Sequence, residues 1–331
     1  VNESVGGGFD TELMPGAFDT LFEGVMQSTW AAGEEVFSLG ESLTTARSGG
    51  RTYIAASSPT FESFNGITDG DILRVTAAGV VYHVTVSEYA STLTVFVYGH
   101  DLPLVTGATD WVIETSDTLT NGVTSKSYTV ERSFEDISVF EYMTGMEIDT
   151  FSLSASAGSL VTASFGMMGR THTSDTSRAA VTDDTAETSG GTFNASSNIG
   201  RLGVGNDALS VVTELSLEIT NNLRERNVLG VVGAASIGSG EFSVTGSLSV
   251  YFEDNTFLEQ LLDNTQTKLS FSFIAEDGSV LSFHLPAIKF TEGIPEVSGK
   301  NEDVMLSLGF QAFAAGGAGT TLIVQKLAAS A

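Results

Sequence analysis

Ser243-Val244-Thr245-Gly246 begins a pattern that occurs twice in this chain, in the same order. The earlier copy begins at Ser4-Val5-Gly6-Gly7. Both copies run through a short alternating stretch into an apolar segment, Phe18 to Phe22 in the first and Phe257 to Leu261 in the second. A repeat of this length is typical of a duplicated domain, because the units of a solenoid are much shorter. Chance similarity between two β-rich segments is the alternative.

Two later landmarks extend the repeat. Glu135-Asp136-Ile137-Ser138-Val139 corresponds to Glu276-Asp277-Gly278-Ser279-Val280. Each copy then closes on an alternating strand, at Val161 to Phe165 and at Val304 to Phe310. We therefore predict a mainly β protein with two copies of one domain, the first formed by residues 1–42 and 123–170 and the second by residues 208–331.

Hydrophobic periodicity predicts the elements of each copy. After Pro15, apolar residues at spacings of three and four predict an amphipathic helix from Phe18 to Trp30, and Thr256 to Asn264 is its predicted counterpart. Val212 to Asn221 alternates with period two, which predicts a strand with one buried apolar face and one acidic face. Each copy is thus expected to be a β-sandwich with one flanking helix.

Three segments fall outside the shared pattern. Residues 43–122 have no counterpart in the second copy and carry short strand-like runs, so we predict a small inserted β-domain. Residues 171–207 are rich in Ser, Thr and Gly, which favours a linker or mobile loop with a flexible hinge at Gly200 to Gly205. Leu209 to Gly240 precedes the second copy, so we expect a similar segment upstream of the first.

The chain of 331 residues is strongly acidic, with 41 acidic and 14 basic residues and a formal net charge of −27. Such a charge disfavours binding to nucleic acid or anionic membranes through neutralised phosphates. From charge alone, acidity for solubility or for a salty habitat is the favoured interpretation, and a channel wall that DNA passes without adhering is the other. There is no cysteine, which excludes disulfides and thiol chemistry. No apolar run approaches the length of a membrane helix, so membrane insertion is not expected.

Residue types that usually perform catalysis or bind metals are scattered. The four histidines are far apart in the sequence: His83, His100, His172 and His284. We interpret His284 as a strand residue with a neighbouring partner. Asp69 with Asp71, and Asp183 with Asp184, offer oxygen ligands for calcium but lack the loop of an EF-hand. We expect no catalytic residue, no cofactor and no metal site.

Several runs of the chain resemble the tail tube proteins of long-tailed, non-contractile bacteriophages. They are Ser4-Val5-Gly6-Gly7 through Phe18-Asp19-Thr20-Leu21, Tyr128 to Asp136, Phe140 to Met146, Ala163 to Gly169, Val244 to Asp254 and Leu285 to Phe290. The resemblance covers most of the chain outside residues 43–122. Its motifs are structural and carry no catalytic residue.

The resemblance implies a β-sandwich whose long strands join those of neighbours into a closed inner barrel, with rings stacked into a tube that conducts DNA. Most such rings have six single-domain subunits, so a chain with two copies predicts a trimeric ring with pseudo-sixfold symmetry. The implied partners are other copies of the chain, the tape measure, terminator and distal tail proteins, and double-stranded DNA in passage without specific binding. The resemblance also implies that the protein is assembled in the host cytoplasm and resides in the virion tail.

Glu214 and Glu218 are the acids that we expect to line the lumen of the tube, because both lie on the polar face of the predicted strand at Val212 to Asn221. An acidic lumen would repel phosphates and leave DNA without a preferred resting place. A solvated outer face is the other interpretation of these two residues.

Two other classes of protein fit part of the sequence. A secreted or surface β-rich adhesin would explain the Ser, Thr and Gly content and the insert, and would be monomeric. An acidic β-fold hydrolase would need carboxylates clustered in a cleft, and such residues come together only in space.

Overall fold

The computed structural model describes residues 4–37, 41–56, 67–98, 102–179, 191–195, 199–209, 212–230, 232–297, 299–300, 302–314 and 319–329. Strands dominate these residues, together with two short α-helices and one 3-10 turn. The predicted fold class, mainly β with two helices, is confirmed.

The elements follow one another in chain order. They are β1 (Val5–Glu12), α1 (Asp19–Met26), β2 (Glu35–Phe37), β3 (Leu43–Ser48), β4 (Arg51–Ala56), β5 (Ile72–Ala77), β6 (Val80–Ser91), β7 (Thr94–Val97), β8 (Val105–Ala108), β9 (Trp111–Thr115), β10 (Asp117–Thr120), β11 (Tyr128–Phe134), the 3-10 turn (Glu135–Ile137), β12 (Val139–Ser156), β13 (Thr162–Gly169), β14 (Thr171–Asp175), β15 (Ile199–Val204), β16 (Asp207–Leu209), β17 (Val212–Thr220), β18 (Arg224–Arg226), β19 (Ser236–Gly238), β20 (Ser243–Tyr251), α2 (Thr256–Leu262), β21 (Thr267–Ile274), β22 (Val280–Val297), β23 (Val304–Ala312) and β24 (Ile323–Leu327).

A large antiparallel sheet forms the body of the protein. Its main path runs β1-β13-β12-β17-β20-β23-β22-β21-β15-β16, and β10, β11, β14 and β24 pair beside this path. One face of the sheet joins a single apolar core that includes the buried rings of Phe151, Phe165, Phe283 and Phe310. Alternation along each strand therefore leaves the other face to polar residues.

Two sets of strands in this sheet pair in the same order. The first unit consists of β1, α1 and β11 to β14, and the second unit of β20, α2 and β21 to β24. In the first unit, β1 pairs with β13, β13 pairs with β12, and β12 also pairs with β11 and β14. In the second unit, β20 pairs with β23, β23 pairs with β22, and β22 also pairs with β21 and β24. The duplication remains a prediction, and this shared order supports it.

Register shifts occur at corresponding places in the two units. β12 and β22 are both 18 residues long. Each contains a bulge where it pairs with the next strand, between Ile148 and Thr150 in β12 and between Phe290 and Glu292 in β22. A bulge inserts one residue and reverses which residues face the core beyond it.

The long strands divide each unit into an arm and a body. The first arm is β11, the Val139–Met146 half of β12 and β14. The second arm is β21, the Val280–Ile288 half of β22 and β24. The remaining halves of β12 and β22 pair with β13 and β23, and form the bodies.

β17 joins the two units within the chain. It pairs with β12 along one edge and with β20 along the other. Among the described residues, no strand pairs with the outer edge of β1 or with the outer edge of residues 292–297 in β22. The sheet of the two bodies therefore has two open edges.

Both predicted helices are present but shorter than predicted. α1 ends at Met26 because Gln27 adopts a left-handed conformation, with φ of 49°. α2 begins beside Asp254, whose carboxylate accepts the backbone N–H of Thr256 at 2.8 Å, and ends at Leu262. A side-chain acceptor at this place satisfies an N–H that the helix itself leaves unpaired.

The insert has its own sheet and core. Eight strands pair in the order β2-β9-β5-β6-β7-β4-β3-β8, around an apolar cluster that includes Leu73, Val86 and Trp111. This sheet extends from residue 35 to residue 115, whereas the predicted insert was 43–122. β10, at residues 117–120, pairs instead with β24 in the large sheet.

The insert interrupts the first unit in sequence but docks on the second arm. Lys268 Nζ lies 2.6 Å from Asp69 Oδ2, and Gln325 Nε2 donates to Asp71 Oδ1 at 2.5 Å. Ile72 packs in a small apolar cluster with Val280 and Leu327. Polar and apolar contacts thus fix the insert to β21, β22 and β24.

Part of the predicted linker is regular structure. Residues 199–204, which include most of the predicted hinge at Gly200 to Gly205, form β15 and pair with β21, and Leu202 and Val204 are buried there. β14 also lies within the predicted linker, 171–207, and β16 begins at its last residue. Residues 180–190 and 196–198 of that stretch lie outside the described part of the chain.

Candidate functional site: an acidic polar face

β17 separates apolar from polar side chains as its sequence predicts. Leu215, Leu217 and Ile219 are buried in the core of the large sheet. Glu214 and Glu218 are exposed on the opposite face. The structure therefore places both predicted residues on the polar face of the sheet, in cross-strand rows that the row of Ser216 separates.

The polar face continues across the strands on either side. Residues directly opposite each other in an antiparallel pair point to the same face. One such row contains Asp10, Ser164, Ser152, Glu218, Thr245 and Gln311. The next row contains Glu12, Thr162, Ser154, Ser216, Ser247, Gly309 and Glu292.

Acidic residues outnumber basic ones on this face. Its acids include Asp10, Glu12, Glu214, Glu218, Glu292 and Glu296, which come from β1, β17 and β22. Lys289, opposite Gln311, is the one base in these rows among the described residues. The face is therefore a negatively charged surface that extends across both units.

Part of the face forms a shallow concavity of about 840 Å³. Seven strands contribute to its lining, from β1 at one edge to β22 at the other, and its acids are Asp10, Glu218 and Glu292. Glu214 lies beyond it, one row further along β17. The polar face is thus the inner side of the curve formed by the two bodies.

Small hydroxyl side chains fill most of the space between the acids. Ser216 and Ser247 share a hydrogen bond across β17 and β20, with 2.8 Å between their Oγ atoms. Short side chains that bond to each other leave few donors for a ligand. This surface can repel a polyanion, and it offers little for holding one in place.

Sequence reasoning missed Asp10, Glu12, Glu292 and Glu296. β1 lies in a glycine-rich stretch, Val5-Gly6-Gly7-Gly8, where alternation is hard to recognise. In β22 the bulge between Phe290 and Glu292 changes the phase of the alternation. Matching β22 with β12 through their bulges would have placed Glu292 on the polar face, as the counterpart of Thr150.

The other candidate residues do not converge on a site. His83, His172 and His284 lie in β6, β14 and β22, and His100 is outside the described residues. Asp69 and Asp71 anchor the insert, and Asp183 with Asp184 also falls outside the described part. Across the described residues, no cluster of three or more potential metal ligands is present.

Burial explains the titration behaviour of the two buried groups at this anchor. Desolvation lowers the pKa of His284 to about 4, and nearby Lys268 adds to the effect. Its Nδ1 lies 2.7 Å from Ser270 Oγ. Desolvation raises the pKa of Asp71 to about 6, against the hydrogen bonds from Thr68 and Gln325. These groups serve the docking of the insert, and the polar face lies elsewhere.

A family model described as phage tail tube protein matches residues 1–312 of the chain. The chain belongs to the phage tail tube protein family. The resemblance noted in its sequence is therefore confirmed, and the protein is a structural component of the virion tail. No curated protein matches the chain.

Membership of the tail tube family decides between the classes of protein that the sequence allowed. A tail tube protein assembles with copies of itself and with other tail components, so the adhesin alternative is not favoured. The role of the family is structural, which implies a protein without enzymatic activity. Neither helix in the described residues is long and apolar enough to cross a membrane.

Proposed function

We propose that three chains close into a ring with pseudo-sixfold symmetry, and that such rings stack into a tube with the acidic polar face toward its lumen. The observation that carries this proposal is the polar face itself, which runs without interruption from β1 to β22 across both units. A surface that is concave, polar and continuous over two units suits the inner wall of a tube.

The open edges of the sheet support ring closure. β17 continues the sheet from the first unit to the second within the chain. β1 and residues 292–297 of β22 provide the edges through which the sheet can continue from chain to chain. A ring satisfies the backbone groups of these edges, which would otherwise invite disordered aggregation.

The charge of the wall supports passage of double-stranded DNA without specific binding. Phosphates that approach Glu214, Glu218 or Asp10 meet repulsion, because like charges in a confined channel raise the energy of a bound state. Tight binding to phosphates needs several Lys or Arg contacts, and Lys289 is the one base in the described rows of this face. DNA is therefore kept from adhering to the wall.

Tail assembly defines the other partners. We infer that the ends of the tube contact terminator and distal tail proteins, that a tape measure protein occupies the lumen before DNA does, and that assembly takes place in the host cytoplasm. The general support is the family, whose members assemble with other tail components.

Charge reversal on β17 tests the role of the lumen. Phage carrying Glu214→Lys and Glu218→Lys should assemble tails of normal length but eject DNA more slowly, because the new ammonium groups attract phosphates. Asp110→Lys with Glu276→Lys makes the same charge change at exposed positions outside the polar face. Equal ejection rates for the two double variants would contradict a lumenal position of β17.

A further inference from the structure

We propose that the first arm of one chain docks on α2 of a second chain, and repeats between chains the contact that the second arm makes with α1 within the chain. This inference rests on the proposed ring and names its interface. The occupant of both surfaces is another copy of this chain.

The internal contact between α1 and the second arm is well packed. Phe22 on α1 is 2% exposed and meets Phe283 of the second arm with 6.1 Å between ring centroids. At the edge of this contact, Lys326 Nζ of β24 lies 2.5 Å from Asp19 Oδ2 of α1. The second arm thus covers α1 with an apolar centre and a charged rim.

α2 has the same place in the second unit, but no described residue covers it in this way. Four residues of α1 are buried, whereas no residue of α2 is buried. Leu262 on α2 is 73% exposed. Phe257 of α2 packs on Phe290 of its own unit, as Phe18 beside α1 packs on Phe165. The side of α2 that faces its own sheet is therefore occupied, and Leu262 is left without apolar cover.

The first arm lacks cover in the same way. In the Val280–Ile288 half of β22 every residue except Pro286 is buried, whereas in the Val139–Met146 half of β12 only Met146 is buried. Because Val130 pairs with Met143 as Leu269 pairs with Leu285, positions in the two arms can be matched. The difference in burial is thus a difference between equivalent strands.

The matched positions show how the first arm tolerates exposure. Arg132 and Glu141 occupy the positions of Phe271 and Phe283, whose rings stack with 5.1 Å between centroids. An Arg132–Glu141 ion pair replaces that stacked pair on the first arm. Charged side chains keep an arm soluble before assembly, and a partner's helix can still cover the apolar residues beside them.

Both surfaces carry charged groups that could meet across the contact. Bases are scarce in this chain, yet Arg132 and Arg178 both lie on or beside the first arm, where they pair with Glu141 and Glu131. α2 carries Glu259, is followed by Asp263, and contains no base. The internal contact has the same polarity, with an acid on α1 and a base on β24. Complementary charge at an interface guides orientation and association.

The docking geometry limits the assembly that results. Among the described residues, each chain offers one uncovered arm and one uncovered helix, and these are different surfaces. Contacts between unlike surfaces run head to tail and form a closed ring or an open filament. The pairing of the first arm with α2 is therefore consistent with the proposed ring.

Cysteine cross-linking tests the contact directly, since the chain has no cysteine of its own. The positions for cysteine correspond to Asp19 and Lys326 of the internal contact. Leu258 corresponds to Asp19, because it follows Phe257 as Asp19 follows Phe18. Thr176 corresponds to Lys326, because β14 and β24 have the same register on their arms. Chains with Thr176→Cys alone and with Leu258→Cys alone, assembled together and treated with a short bis-maleimide, should give covalent dimers. Thr176→Cys mixed with Val80→Cys, on the insert, should not.

A second variant tests the interface by assembly. Leu262→Asp should reduce the assembled fraction by about tenfold or more, because a carboxylate would be buried against the arm of the neighbour. Val80→Asp, at a residue 52% exposed on the insert, is the matched control and should assemble normally.

The outcomes separate the interface from the ring. Tubes that form without dimer cross-links, and that tolerate Leu262→Asp, would overturn this interface and leave the tail tube role intact. If the unsubstituted chain forms neither rings nor tubes at any concentration, both proposals fail. Cross-links specific to Thr176 with Leu258 would support the interface.

Discussion

Phe22 of α1 and Phe283 of β22 meet edge to face, with 6.1 Å between their ring centroids and an interplanar angle of 61°. They belong to different units of the chain and are 261 positions apart in the sequence. Their contact ties the helix of the first unit to the arm of the second, so the two units share one core. The two units are therefore expected to unfold together around this contact.

A double-mutant cycle on this pair should measure its coupling. Phe22→Leu and Phe283→Leu each remove one ring, and we expect a coupling energy of about 0.5–1.5 kcal/mol from denaturant unfolding. Phe22→Leu combined with Val95→Ala, in the separate core of the insert, is the control. That pair should be additive within about 0.5 kcal/mol. Additivity of the phenylalanine pair itself would mean that the two rings do not stabilise each other.

Equivalent phenylalanines in the two arms should differ in their importance for the isolated chain. Phe273 in the second arm is 1% exposed, and Phe134 at the matching position of the first arm is 38% exposed. Phe273→Ala should lower the free energy of unfolding by about 3–5 kcal/mol, and Phe134→Ala by less than about 1 kcal/mol. Urea titration of the unassembled chain measures both. Similar losses would show that the first arm is already covered before assembly.

Gly70 should tolerate no side chain, because the insert approaches the second arm there. It has φ of +88°, and a Cβ at this position would overlap the imidazole ring of His284. Gly79 also has a positive φ, of +79°, but its Cβ would meet nothing. Gly70→Ala and Gly79→Ala therefore share a backbone cost of about 1 kcal/mol, and only the first adds a steric clash.

Thermal unfolding with limited proteolysis distinguishes the two glycine variants. We expect Gly70→Ala to lower the midpoint further than Gly79→Ala and to speed cleavage within the insert. If the two midpoints coincide, the insert does not dock on His284 as described.

His284 should make stability fall with acidification. Its folded pKa, about 4, is below the ordinary value of 6.5, so folding favours the neutral ring. That contribution is fully present above pH 6.5 and is lost as pH falls toward 4, with a full size on the order of 3 kcal/mol. As pH falls from 6.5 toward 4, the free energy of unfolding should therefore decrease more for the unsubstituted chain than for His284→Asn.

Asp71 provides a comparison of opposite sign. Its folded pKa, about 6, is above the ordinary value of 3.8, so its contribution is present below pH 3.8 and is lost as pH rises toward 6. Relative to Asp71→Asn, the unsubstituted chain should lose stability as pH rises from 4 to 6. Urea titrations at a series of pH values measure both differences, and two differences independent of pH would refute this account of the anchor.

Local pattern was enough to predict several parts of the fold. The strand at Val212–Thr220 has the expected buried and acidic faces, because period-two alternation needs no knowledge of distant residues. The helix of the first unit also lies where apolar spacing placed it, although it stops at Met26. Gln27, which ends it in a left-handed conformation, carries no strong stop signal in the sequence.

Long-range pairing was beyond the reach of local pattern. The glycines at 200, 203 and 205 predict a flexible hinge, yet pairing with β21 holds residues 199–204 in the sheet as β15. The docking of the insert on the second arm depends on Asp69 and Lys268, which are 199 positions apart. Contacts of this kind are set by the tertiary fold, which overrides local propensity.

The most direct test of the proposed function is cryo-electron microscopy of the purified chain at high concentration, classified without imposed symmetry. Stacked rings of three chains, each with six similar units around a lumen lined by Glu214 and Glu218, are the result that we predict. Rings of six chains, or particles that remain monomeric, would contradict the trimeric ring.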